Sequence, residues 1–246
     1  MIHKFGWSAT FVDFDNVEHI SKAANANTKA IFCESISNPG GHVTDIPAIS
    51  TVAKSLKIPL IVDNTSATPY LFKPFDHGAN IITHSTTKYL SGNGTSMGGA
   101  VVDNGTFDWS KTDKFPSLTK PEKGYHGLKF HETFGPMAFT FYGIAISLRD
   151  LGMAMAPQHA FQTLLGIETL SLRMKRHVEN TETISQWLEN DKRVGTVNYA
   201  GLKSSKYAAL VKRLYPKGAG GLLTFTIKAS VLFSRRRYES RQRKRA

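Results

Sequence analysis

The sequence predicts an α/β fold built on a mostly parallel sheet, and two observations carry that prediction. Across the first two-thirds of the 246 residues, short apolar segments alternate with amphipathic stretches or connections of crossover length. One of these segments, Ile58–Asp63, is an almost continuous apolar run, the pattern of a strand in a sheet covered on both faces.

The elements follow in order. Ala30–Glu34 reads as the first strand, and Ile46–Leu56 as a helix whose apolar residues are Ile46, Ile49, Val52 and Ala53. Ile58–Asp63, Ala79–His84 and Gly99–Asp103 read as the next three strands. Between Phe107 and Phe139 the punctuation of Pro116, Pro121, Gly124, Gly127, Gly135 and Pro136 predicts loops. A long helical stretch is expected from about Pro157 to Glu189. Phe161, Leu164, Leu165, Ile167, Leu170, Leu172 and Met174 give it an expected buried face. VGTVNYAG and GGLLTFTIKA then read as two strands flanking a polar helix at Ser205–Leu214. The expected organisation is a partial large domain over 1–150, the start of a smaller α+β domain over 151–230, and a basic tail over 231–246.

Composition narrows the function classes. A hydrophobic fraction of 41% and a charged fraction of 20% are those of a soluble globular protein. No apolar run reaches bilayer-spanning length, and the first residues lack a signal-peptide pattern. The single cysteine, Cys33, fits a reducing, cytoplasmic setting, and its apolar neighbours predict a buried structural thiol. The net charge of +12 looks like a nucleic-acid signal. However, residues 235–246 hold seven basic side chains against Glu239 alone, which is half of that total. The basicity therefore belongs to the tail, and nucleic-acid binding ranks lowest among the readings.

The chemistry gathers behind three strands. Asn38 and Pro39 follow the first, Asp63 ends the second, and Ser85, Thr87 and Lys88 follow the third. On a parallel sheet these ends lie along one edge, where ligands bind. A carboxylate at a strand end needs a partner, hydroxyls near a glycine-rich turn suit a phosphate, and a desolvated lysine forms Schiff bases. Pyridoxal phosphate needs all three: a lysine for its aldehyde, hydroxyls for its phosphate and a carboxylate for its ring nitrogen. Each residue alone has a plain alternative. Taken singly, Lys88 reads more readily as an ordinary surface lysine, and Asp63 can be read as the cap of the turn through Asn64 and Thr65. The segment SGNGTSMGG fits neither a Walker loop nor a dinucleotide fingerprint, and His77 and His84 lack metal-ligand spacing.

The strings ESISNP, VDNTSATPYLFKPFDHGANIITHSTTKYLSGNGTSMGGAVVD and LGIETLSLRMKRHVEN closely resemble the pyridoxal-phosphate enzymes of cysteine and methionine metabolism. GNGTSMGGAVVDNGTFDW and EKGYHGLKF are most similar to the O-acetylhomoserine sulfhydrylases among them. The resemblance covers roughly residues 5–230 and implies an aspartate-aminotransferase-like fold. It implies that Lys88 holds the cofactor and acts as base, and that Asp63 pairs with the ring nitrogen. Ser85 and Thr87 would then bind the phosphate, and Asn38 would lie near the cofactor's phenolic oxygen and the substrate carboxylate. The implied reaction is γ-replacement on O-acetyl-L-homoserine by sulfide or a thiol, giving homocysteine or methionine and acetate. Related γ-synthases and γ-lyases, or a catalytically inactive remnant, are the alternatives. The family pattern also implies a homo-oligomer. Set against it, the chain reads as truncated at both ends, with a frameshifted or mis-joined segment after Ser230.

Overall fold

The computed structural model describes residues 5–228; the expected basic tail lies outside them. Helix α1 (Val17–Ala23) precedes strand β1 (Ile31–Glu34), helix α2 (Ile46–Ser55) and strand β2 (Leu60–Asp63). A short helix α3 (Thr68–Leu71) leads to β3 (Ile81–Ser85), a wide π-type turn at Thr86–Leu90, and β4 (Gly99–Asp103). The four strands form one sheet in the order β1-β2-β3-β4. β1–β2 and β2–β3 are parallel and β3–β4 is antiparallel. The mostly parallel sheet is thus as expected; the first three strands begin one or two residues later than the apolar patterns suggested, and β4 has the expected bounds. In the second, Pro59 has no N–H to donate to the sheet, and β2 starts directly after it.

The region expected as loop contains three short helices, α4 (Pro116–Thr119), α5 (Phe130–Phe134) and α6 (Ala138–Tyr142). They gather an aromatic layer around Trp109, which stacks on Phe139 and meets Phe107 and Phe115 edge-on. This layer packs on Ile81 and the half-buried Ile61. Cover on that face of the sheet is partial among the described residues, since Phe32 is 56% exposed and Val101 63%. The apolar run therefore marked a sheet strand correctly, but not a sheet buried on both faces throughout.

The helical stretch after residue 156 is two helices, α7 (Pro157–Glu168) and α8 (Leu170–Asn190), separated at Thr169. Its expected buried face is only partly buried. Leu170 and Met174 enter the main core, whereas Phe161, Leu164, Leu165, Ile167 and Leu172 are exposed. Helical periodicity identifies an apolar face but not what covers it. Strand β5 (Val194–Asn198), helix α9 (Ala208–Leu214) and strand β6 (Thr224–Ile227) follow among the described residues, with β5 and β6 antiparallel.

The main core joins the sheet to this last segment. Ile31, Cys33, Leu60 and Val62 pack with Ile46 and Ile49 of α2, with Leu170, Met174 and Val178 of α8, and with Tyr199 and Tyr215. Cys33 is buried as expected, and desolvation pushes its thiol up to about 12, which leaves it inert at neutral pH. A relay of buried polar contacts fixes the strand ends. The Tyr215 hydroxyl donates to Ser35 O at 3.0 Å, the Ser35 hydroxyl to Asn64 Oδ1 at 2.7 Å, and Asn64 Nδ2 to Phe72 O at 2.9 Å. Asn64 is completely buried, so Asn64→Ala strands two polar partners. The expected cost is about 3 kcal/mol, read as a lower urea midpoint.

Candidate active site

Strand register brings the carboxyl ends of β1, β2 and β3 to one edge. Glu34 lies opposite Asp63, and Asp63 opposite Thr83, two residues before Ser85. Side chains of paired residues share a face, so Asp63, Thr83 and Ser85 face the same way. Asn38 follows β1 on the same edge, at a cis Asn38–Pro39 bond, with its backbone N–H on Glu34 Oε2 at 2.9 Å.

Asp63 is half-buried and one oxygen, Oδ1, accepts the Thr65 N–H at 2.8 Å. The turn-capping alternative is therefore realised, and it uses only one carboxylate oxygen. Thr65 reads in the sequence only as a turn residue, yet its hydroxyl accepts the Ser85 N–H at 2.8 Å. It ties the Asp63 turn to the start of the Lys88 turn. No local pattern signals that bond, because its partners are 20 residues apart.

Lys88 sits within the wide turn, where its backbone (φ −89°, ψ −122°) interrupts the helical geometry. The turn is closed by Ser91 N–H on Thr86 O at 3.0 Å and Gly92 N–H on Lys88 O at 2.9 Å. Positive φ at Gly92 (73°) and Gly94 (71°) lets the chain double back toward β4. The Lys88 side chain is exposed. Ser85 and Thr87 are half-buried. The Thr87 hydroxyl is partly committed within the protein, accepting the Gly98 N–H at 3.1 Å and reaching Gly98 O at 3.4 Å.

Two polar atoms on β3 are buried without a partner among the described residues, Thr83 Oγ1 and His84 Nδ1. Desolvation holds the His84 imidazole below its ordinary value, and the nearby Asp63 charge opposes that shift. A carboxylate oxygen left open beside an unpartnered hydroxyl, a hydroxyl-bearing turn and an exposed lysine is a donor set that fits pyridoxal phosphate. Among the described residues no group of three or more His, Cys, Asp and Glu side chains is placed to hold a metal ion. No helix there is long and apolar enough to cross a membrane.

Comparison with known proteins identifies the family. The family model for Cys/Met metabolism PLP-dependent enzymes matches residues 1–242, past the point near Ser230 where the motif resemblance was expected to stop. An O-acetyl-L-homoserine sulfhydrylase of Leptospira meyeri is 42% identical over 93% of the chain and 53% of its own length. A homocysteine synthase of Schizosaccharomyces pombe is 43% identical over 92% of the chain and 53% of its own length. The chain thus spans about half the length of these curated relatives. Among solved structures, a Campylobacter jejuni protein assigned as an O-acetylhomoserine (thiol)-lyase superposes with a TM-score of 0.89 at 39% identity. That alignment covers 92% of this chain and 56% of the other, which carries pyridoxyl-lysine monophosphate. With a family model matched over nearly its whole length and relatives above 40% identity, the chain belongs to the Cys/Met metabolism PLP-dependent enzymes.

Proposed function

We propose that the chain carries the lysine-bearing part of an enzyme that replaces the γ-substituent of O-acetyl-L-homoserine with sulfide or a thiol. The products are homocysteine or methionine and acetate. The observation that carries this reading is the shared edge on which Asp63 lies across from Thr83, close in sequence to Ser85 and Lys88. Bound there, pyridoxal phosphate would supply the electron sink that makes the substrate α-proton removable.

The roles of the chain's own residues follow from their chemistry. Lys88 would hold the cofactor covalently and then act as the base at the substrate α-carbon. Asp63 would keep a proton on the cofactor's ring nitrogen with the oxygen that Thr65 leaves open. Ser85 and Thr87 would take the phosphate, with Gly98 holding the Thr87 hydroxyl in place. Asn38 would lie beside the phenolic oxygen and the substrate carboxylate. In this reading residues 1–150 are part of the cofactor-binding domain, and 151–230 begin the smaller one. The setting is cytoplasmic, the family's homo-oligomer is the expected assembly, and neither membrane nor nucleic acid is a partner.

Borohydride reduction of the chain with pyridoxal phosphate, followed by peptide mapping, tests the reading directly. Reductive trapping at Lys88 is the expected result, together with sulfide-dependent acetate release from O-acetylhomoserine. Label spread evenly over exposed lysines, with none favoured, would sink it.

A further inference from the structure

The corner between α7 and α8 is built against the Lys88 turn. Gly166, near the end of α7, has no side chain because a Cβ there would collide with the carbonyl oxygens of Leu90 and Ser91. From the first turn of α8, Arg173 reaches back into the same place. Its Nη1 donates to Tyr89 O at 2.8 Å, and its Nη2 to Leu90 O at 3.4 Å and Gly166 O at 2.6 Å. Its Nε donates to the Thr169 hydroxyl at 3.1 Å. A Cβ on Gly92 would strike the guanidinium, so Gly92 leaves room for the arginine fork and Gly166 for the carbonyls of the Lys88 turn.

All four of these acceptors are uncharged oxygens. An arginine held for charge alone would meet a carboxylate; here the planar fork collects carbonyls instead. Two of them belong to the residues directly after Lys88, and the other two to the helix corner. The guanidinium is thus the link by which α8 fixes the backbone that carries the lysine.

We infer that Arg173 is a positioning residue for Lys88: its guanidinium fork holds the Tyr89 and Leu90 carbonyls, and so sets where the lysine amine is presented. This rests on the reading of Lys88 as the cofactor-bearing lysine. A misplacement of order 1 Å at a reacting group costs about a hundredfold in rate, so a partial loss of the fork has a measurable effect.

The test compares the wild-type chain with Arg173→Lys, which keeps the charge and loses the fork. Two readouts are needed: the rate of pyridoxal-phosphate trapping at Lys88 across pH, and hydrogen exchange at the amides of Tyr89–Gly92. In R173K, trapping is expected to slow about tenfold with an unchanged pH midpoint, and those amides to exchange faster. Slower trapping with a shifted midpoint would make the role electrostatic, and an unchanged rate would leave no role; either overturns the proposal. If R173K does not fold, Thr169→Val decides. It removes the Nε acceptor and the long 3.3 Å bond from the Thr169 hydroxyl to Gly166 O, at an exposed position, and about threefold slowing is expected, whereas the wild-type rate overturns the proposal. If the wild-type chain itself traps nothing at Lys88, the reading of the site fails. The clamp is then judged by exchange alone, and wild-type protection of Tyr89–Gly92 in R173K overturns it.

Discussion

Replacing Lys88 with arginine is expected to abolish cofactor trapping and to lower sulfide-dependent acetate release by about a thousandfold or more. The fold should not change. Lys88 is exposed, and a change between two long cationic side chains at a surface position usually shifts stability by about 0.5 kcal/mol or less. Arginine preserves the positive charge but is never deprotonated in proteins, so it can neither attack an aldehyde nor take a proton. The two measurements therefore separate cleanly. A K88R chain with an unchanged urea midpoint and no trapped cofactor places the chemistry on Lys88. A K88R chain that still traps pyridoxal phosphate at one defined lysine would move the site elsewhere.

Much of this arrangement was legible in the sequence, because strands and their ends are local signals. β4 has the expected bounds, Gly99–Asp103, and Asp63 closes β2 as the apolar run implied. What the sequence concealed is tertiary. Arg173 lies within a stretch that reads simply as helix, and its carbonyl partners at Tyr89 and Leu90 are 84 and 83 residues away. Thr65 reads as a turn residue, yet its hydroxyl joins two strand ends. The apolar face of α7 shows the opposite failure. Its periodicity is clear, but Leu164 is 64% exposed and Phe161 55%. Burial depends on what packs against a helix, and the helix's own pattern does not encode that. The break at Thr169 was equally hidden, since nothing in GIETLS forbids a continuous helix. It takes its meaning from the Arg173 guanidinium that the Thr169 hydroxyl accepts.

Asp63→Asn probes the other end of the proposed cofactor site, and its effect should be nearly as large. The asparagine keeps an oxygen able to accept the Thr65 N–H, so the turn at Asp63–Thr65 and its link to Ser85 should survive. The negative charge is what disappears. Removing one partner of a buried ion pair costs about 3 kcal/mol, so cofactor affinity and acetate release should each fall on the order of a hundredfold. His84 supplies a check that does not need the cofactor. Desolvation lowers its pKa and Asp63 raises it, so D63N leaves the desolvation unopposed and the pKa falls further. The sign for stability follows. The unfolded chain binds a proton on His84 near pH 6.5 while the folded chain resists it, so stability is fully present above that value. It is lost as pH falls toward the folded pKa, and in D63N that loss extends to lower pH. An NMR titration of the His84 ring should therefore show its midpoint displaced downward. If the midpoint stays in place while activity collapses, Asp63 does not act on His84 through its charge. If both are unchanged, Asp63 is only the cap of its turn, and the carboxylate the cofactor requires must come from another residue.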